Sequence, residues 1–139
     1  MNTEFRVRII VLDTSAVIAV LQNEPGSDEL ITKLQKAKEL KISAASVAEA
    51  GIVMLSRYGD SGEIEVDQFI YRLGIKVISV TEAQAELART ACRKYGKGRH
   101  AAGLNYGDCF SYALASSLQE PLLYIGEDFS KTDLPELED

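Results

Sequence analysis

Three acidic residues stand alone in segments whose other residues suit a protein interior. Each is the single charged residue of its segment: Asp13 in 9–23, Glu49 in 42–56 and Asp108 in 101–119. A buried carboxylate without a partner is costly and tends to take up a proton. The same segments contain no Lys or Arg to pair with these acids. Either each acid finds a partner elsewhere in the fold, or the three converge on a shared cation.

Each acid also has a purely structural explanation. Asp13 is placed to cap a helix, and Asp108 lies in a first helical turn, where the helix dipole favours an acid. Glu49 lies in mid-helix, where only a solvent-facing position would explain it. Because all three explanations would have to hold together, the sequence favours the shared site.

A fourth acid, Asp128, follows the apolar segment 122–125 and has Glu127 beside it. By itself it is equally well explained as surface charge. A cluster of carboxylates with no His or Cys offers only oxygen ligands, which favours Mg²⁺ or Mn²⁺ over zinc. A magnesium ion held by carboxylates typically serves phosphoryl chemistry.

The chain has 139 residues, 46% of them apolar, which predicts one globular domain spanning residues 1–139. Its formal charge is −6, from 21 acids and 15 bases, which at first argues against a nucleic-acid partner. Segment 127–139, however, holds six of the acids and one base, so the rest of the chain is nearly neutral. Two isolated cysteines, no signal peptide and no membrane-spanning run predict a cytoplasmic protein.

Short apolar runs that alternate with amphipathic segments predict the elements that must position these acids. We expect strands at 8–12, 41–44, 75–80 and 122–125, and helices at 16–21, 27–40, 46–58, 63–73, 81–95 and 105–118. Helix 46–58 is apolar nearly all round and should be buried, and 59–62 should be a turn. Strands separated by helices predict an α/β fold, a three-layer α/β/α sandwich with a central parallel sheet. In such sheets the site lies at the carboxyl ends of the strands.

Four motifs resemble a known family. They are VLDTSA at 11–16, SVAE at 46–49, LNYGDCFSYALA at 104–115 and LYIGEDF at 123–129. Together they span nearly the whole chain and resemble the PIN-domain ribonucleases, and within them the VapC toxins of bacterial toxin–antitoxin pairs. The resemblance implies a PIN-like fold and an endoribonuclease whose acidic cluster holds one or two Mg²⁺ or Mn²⁺ ions.

Carried over to this sequence, the family's four acids are Asp13, Glu49, Asp108 and Asp128. Asp133 is a rival for the last position. The resemblance also implies an RNA substrate (tRNA or ribosomal RNA), a cognate VapB-like antitoxin and a homodimer. With no side chain placed as a covalent nucleophile, we expect direct hydrolysis by a metal-activated water.

Two groups of neighbouring residues are expected to assist. Ser15 and Asn105 either support the ligand carboxylates or only cap their helices. The segment 93–100 carries four positive charges and no acid, and leads into the Asp108 helix. Its basic residues, Arg93, Lys94, Lys97 and Arg99, are predicted to contact the RNA backbone, unless they only suit a helix C-terminus.

Two other functions remain open. A phosphatase of the haloacid dehalogenase type also places an Asp after a buried strand, but it needs a second Asp two positions later, where this chain has Ser15. A non-catalytic PIN-like domain that only binds RNA or a partner would be expected to have lost part of the acid set, which in this sequence is complete.

Overall fold

A computed structural model of the chain describes residues 8–137 as a parallel sheet flanked by helices. The strands are β1 (Ile9–Leu12), β2 (Glu39–Ser43), β3 (Lys76–Ile78) and β4 (Leu122–Leu123). The helices are α1 (Thr14–Leu21), α2 (Ser27–Lys36), α3 (Ala44–Tyr58), α4 (Asp60–Arg72), α5 (Glu82–Tyr95) and α6 (Tyr106–Leu118), followed by a 3₁₀ turn at Phe129–Lys131.

The sheet order is β3-β2-β1-β4, and each neighbouring pair runs parallel. Successive side chains of a strand point to opposite faces, so β1 supplies both layers of the core. Ile10 and Leu12 pack with α1 to α4, whereas Val11 packs with α5 and α6. The predicted three-layer α/β arrangement with a parallel sheet is therefore confirmed.

Several predicted boundaries were wrong, each for a local reason. Helix α2 ends at Lys36 because the N–H groups of Lys38 and Glu39 donate to the Arg8 carbonyl, which joins this segment to the sheet. Helix α3 begins at Ala44 because the Ser43 hydroxyl accepts the Ala45 N–H at 3.1 Å and caps it. Strand β4 ends at Leu123, two residues earlier than expected.

The predicted turn at 59–62 is instead the junction of two helices. Gly59 has a φ of +72° and is the only residue between α3 and α4. Gly62 then lies inside α4, where a Cβ would overlap the Met54 carbonyl of α3. Glycine is needed at both positions, first for a left-handed φ and then for close contact between the two helices.

The prediction that α3 is buried on all sides was also wrong. Ala50 and Met54 are buried, but Ile52 is 65% exposed and Leu55 is 39% exposed. Only one face of α3 packs on the core and on α4. The helix therefore also carries apolar residues on faces that the described part of the chain does not bury.

No helix within residues 8–137 is both long and apolar enough to cross a membrane.

Candidate functional site

Asp13 lies where the central strand β1 ends and α1 begins. Its N–H still donates to the Leu123 carbonyl of β4 at 2.9 Å, and its side chain is 3% exposed. Oδ2 accepts the Ser15 N–H at 3.0 Å, and Oδ1 accepts the Ser111 hydroxyl at 2.5 Å. Asp13 therefore caps α1, which is the purely structural role considered for it above. Both of its oxygens also accept hydrogen bonds, as the oxygens of a carboxylate can.

Glu49 is half-buried on α3 and faces the first turn of α6. The Thr14 hydroxyl donates to its Oε1 at 2.8 Å. A Cβ built on Gly107 would lie only 2.7 Å from its Oε2, so the carboxylate rests directly against the α6 backbone. The solvent-facing explanation for this acid therefore does not apply.

Asp108 is the third residue of α6 and forms a capping box with Asn105. The Asn105 side chain accepts the Asp108 N–H at 2.9 Å, and Asp108 Oδ2 accepts the Asn105 N–H at 3.0 Å. The pKa of Asp108 is raised to about 6: burial has the largest effect, the Asn105 hydrogen bond acts in the opposite direction, and the charges of Asp13, Asp128 and Glu49 add to the rise. Four carboxylates from four separate segments therefore share one electrostatic environment.

The two candidates for the outer acid have different surroundings. Asp128 is exposed at the start of the 3₁₀ turn, and its charge acts on Asp108. Asp133 accepts the Tyr112 hydroxyl at 2.6 Å and lies 3.9 Å from the Lys94 ammonium. Asp133 is therefore already engaged by a donor and a cation, which favours Asp128 as the fourth member of the cluster.

The cluster fits a hard divalent cation in chemistry and in charge. All its donors are carboxylate oxygens, the ligands that such a cation prefers. The ion pairs between residues that the structure describes are Arg89–Glu86 and Lys94–Asp133, and none of the four acids takes part in them. As they stand in residues 8–137, no three acidic, histidine or cysteine side chains are arranged as the ligands of one ion. Ligation would require the carboxylates to turn toward each other, which their like charges oppose in the absence of a cation.

Ser15 and Asn105 contact the acids through their backbones. The Ser15 N–H binds Asp13, while its hydroxyl accepts the Ile125 N–H at 3.0 Å and ties the segment after β4 to α1. Asn105 holds Asp108 with its own N–H and caps α6 with its side chain. The capping alternative therefore describes Asn105 but not Ser15, which lies inside α1, where Asp13 is the cap.

The predicted basic segment borders the site helix. Arg93 and Lys94 occupy the last turn of α5, and Lys97 and Arg99 are exposed on the following loop. The loop folds back because the Lys97 N–H donates to the Leu104 carbonyl and the Leu104 N–H donates to the Tyr95 carbonyl, both at 2.9 Å. It therefore ends directly at the Asn105 cap of α6.

Sequence reasoning missed the groups that hold the acids. They are Thr14, which binds Glu49, Ser111, which binds Asp13, Ser46, which binds Ser111, and Gly107, which makes room for Glu49. One signal was available, since these residues lie in the same apolar segments as the acids. A buried hydroxyl in such a segment also needs a hydrogen-bond partner, although leaving it unpaired costs less than leaving a carboxylate unpaired.

The raised pKa of Asp108 predicts that the metal-free protein loses stability as pH rises from about 4 to about 6. A group with a raised folded-state pKa binds its proton more readily when folded, so acid favours the folded state in this window. After allowance for solvent screening, the effect should be of the order of 1 kcal/mol. Urea denaturation in EDTA at pH 4 and pH 7 would measure it.

Asp108→Asn is the matched comparison, because asparagine keeps the capping geometry without the titration. We expect the wild type to lose more stability than this variant between the two pH values. Parallel stability profiles for the two proteins would contradict the assignment.

Comparison with known proteins identifies relatives over most of the chain. The family model described as PIN domain matches residues 10–134. A protein named Ribonuclease VapC from Mycolicibacterium smegmatis is 46% identical over 125 residues, which cover 90% of this chain and 97% of that protein.

Solved structures share the fold. A crystal structure of VapC20 from Mycobacterium tuberculosis, described as a sarcin-ricin loop cleaving toxin, has a TM-score of 0.76 at 15% identity and covers 92% of this chain and 98% of its own. A structure described as a toxin-antitoxin complex from Klebsiella pneumoniae has a TM-score of 0.66 at 18% identity, over 92% of this chain and 99% of its own.

Proposed function

The chain belongs to the PIN domain family and, within it, to the VapC ribonucleases, and from that premise we propose a divalent-metal-dependent endoribonuclease in which Asp13, Glu49, Asp108 and Asp128 hold the cation. As a member of this family, the chain is an RNA-cleaving hydrolase and the toxin of a toxin–antitoxin pair. The proposal adds the metal (Mg²⁺ or Mn²⁺) and the residues that bind it.

One observation carries the metal proposal. Four acids from distant parts of the chain converge at the carboxyl ends of β1 and β4 and at the start of α6, and the pKa of Asp108 is raised by burial and by the other three. Such convergence is unfavourable unless a cation compensates it. Three of the four acids were already distinguished by their isolation in apolar segments.

Each residue has a distinct part in the proposed site. Asp13, held by Ser15 and Ser111, is the most rigid ligand, and Glu49 and Asp108 approach from α3 and α6. Asp128, on the exposed segment after β4, completes the pocket. A bound Mg²⁺ or Mn²⁺ would neutralise charge on the scissile phosphate and acidify the attacking water. The four carboxylates supply the negative charge that such an ion requires.

Removal of the metal tests the proposal directly. The purified chain should cleave RNA in Mg²⁺ or Mn²⁺, lose cleavage in EDTA and regain it when Mn²⁺ is added back. Mn²⁺ should also raise the melting temperature, because a ligand that binds only the folded state stabilises it. Cleavage that continues at the same rate in EDTA would contradict the metal role. RNA binding without cleavage under every metal condition would instead support a non-catalytic binding domain.

We propose that the substrate is a structured RNA, tRNA or ribosomal RNA, and that the basic segment binds its backbone. Lys97 and Arg99 are the exposed loop cations that lead into α6. Arg93 donates to the Thr90 hydroxyl of the same helix, and the Lys94 ammonium lies 3.9 Å from Asp133; both residues belong to the last turn of α5, just before that loop. The phosphate contacts of these residues would carry affinity without sequence selection.

Charge reversal at Lys97 and Arg99 should weaken RNA binding and flatten its salt dependence. Two lost phosphate contacts should lower the slope of log affinity against log salt by about 1.4 to 1.8. Fluorescence anisotropy with an Asp13→Asn background would measure this without cleavage. The control is charge reversal at Lys36, an exposed base at the end of α2, just before β2 begins and so at the opposite end of the parallel sheet from the carboxyl ends of the strands. An unchanged affinity and slope in the Lys97/Arg99 variant would overturn the RNA contact.

The protein partners follow from the family. We propose a VapB-like antitoxin that covers the acidic site, and a toxin homodimer. Light scattering of the purified chain, alone and after co-expression with the product of the adjacent reading frame, would measure both assemblies. A monomer at all concentrations would contradict the homodimer.

A further inference from the structure

Two fully buried hydroxyls form a junction between the helices that carry the acids. Ser46 on α3 is 1% exposed and Ser111 on α6 is 0% exposed, and their Oγ atoms lie 3.1 Å apart. A buried hydroxyl is tolerated only when it is hydrogen-bonded. The two serines are 65 positions apart in the sequence, so this contact belongs to the tertiary structure.

The direction of the hydrogen bonds follows from their partners. Asp13 Oδ1, as part of a carboxylate, can only accept, so Ser111 must donate its hydroxyl hydrogen to it. The Ser111 oxygen is then the acceptor for the hydrogen of Ser46. The result is a directed chain in which Ser46 orients Ser111, and Ser111 orients Asp13.

The junction is placed one helical turn from two other acids. Ser46 precedes Glu49 by three residues on α3, and Ser111 follows Asp108 by three residues on α6. Residues three apart on a helix share a face. The junction therefore fixes how α3 and α6 approach each other at the level where their acids meet Asp13.

We propose that Ser111 is a positioning residue for cation binding. Its hydroxyl holds the buried Asp13 carboxylate in one orientation, in which the remaining lone pairs of the carboxylate face the other three acids. The inference rests on the proposed function, since it presumes that Asp13 is a ligand. Hydrogen bonds from neighbouring groups to ligand carboxylates commonly set metal affinity, with losses of about tenfold or more on removal. The Ser15 N–H fixes one oxygen of Asp13, so without Ser111 the other oxygen is free to turn.

The dissociation constant of Mn²⁺, read from the electron paramagnetic resonance signal of the free ion, tests this without any cleavage assay. We expect Ser111→Ala to bind Mn²⁺ about tenfold more weakly than the wild type. Ser46→Ala leaves the Ser111 bond to Asp13 in place but removes its support, so its loss should be smaller. Ser117→Ala is the matched control on the same helix, because that exposed hydroxyl donates to the Leu114 carbonyl, and its Mn²⁺ affinity should be unchanged.

The outcomes separate the inference from its premise. A wild-type chain that does not bind Mn²⁺ overturns the proposed function itself. Wild-type binding together with an unchanged dissociation constant in folded Ser111→Ala overturns only the role of Ser111. Circular dichroism would show whether Ser111→Ala folds. Should it not fold, Ser111→Cys decides, because its thiol fills nearly the same space but is a much weaker donor to Asp13; wild-type Mn²⁺ affinity in that variant would overturn the inference.

Discussion

Replacing Asp13 with Asn should reduce RNA cleavage by about a thousandfold while the protein stays folded. A metal site contributes several kcal/mol to stabilising the charge that develops in phosphoryl transfer, and each 1.4 kcal/mol corresponds to about tenfold in rate. Asparagine caps a helix as well as aspartate does, so α1 should keep its first turn. In EDTA the variant should be about as stable as the wild type, because the loss of one charge that raises the pKa of Asp108 offsets the cost of placing an amide NH2 where Asp13 accepts a hydrogen bond.

Asp133→Asn is a closely matched control for this change. Asp133, like Asp13, accepts a side-chain hydroxyl, that of Tyr112 at 2.6 Å, but it lies outside the proposed set of four. We expect this variant to cleave RNA at close to the wild-type rate and Asp128→Asn to be strongly impaired. The reverse result would assign the outer position to Asp133. Near wild-type cleavage by Asp13→Asn in Mg²⁺ would remove the metal assignment altogether.

The arrangement of layers was predictable because it depends on patterns that extend over many residues. Apolar runs between amphipathic helices indicate a parallel sheet, and the alternation of Ile10, Val11 and Leu12 between two cores follows from the strand repeat. Helix ends were less predictable, since they depend on single tertiary bonds such as those from Lys38 and Glu39 to the Arg8 carbonyl. The exposure of Ile52 was not predictable, because the sequence does not show whether another helix covers a given apolar residue.

The acids were easier to find from the sequence than the groups that orient them. An isolated charge in an apolar segment is conspicuous, and this was the case for Asp13, Glu49 and Asp108. Ser111 is inconspicuous, because serines occur in helices of every kind and its bond to Asp13 spans 98 positions. The requirement for Gly107 is likewise visible only when the Glu49 carboxylate is seen against it.

Replacing Gly107 with Ala should make the protein slightly more stable and much less active. Alanine in place of a helical glycine gains up to about 1 kcal/mol. The new Cβ, however, would overlap the Glu49 carboxylate, which is the mobile end of a flexible side chain and would be displaced. A displacement of about 1 Å can lower a rate by about a hundredfold. Cleavage assays in Mn²⁺ and urea denaturation in EDTA would measure the two effects in the same preparations.

Gly51→Ala separates the steric effect from helix propensity. Gly51 is also helical and buried, but its Cβ would meet the Glu63 side chain at 3.9 Å, an ordinary contact, so this variant should gain stability and keep its activity. A double-mutant cycle then identifies the target of the clash. If Gly107→Ala acts through Glu49, it should cost almost nothing further in a Glu49→Ala background, because neighbouring sites that share one interaction are not additive. An undiminished loss in that background would mean that the new methyl group disturbs Asp108 or the α6 cap rather than Glu49.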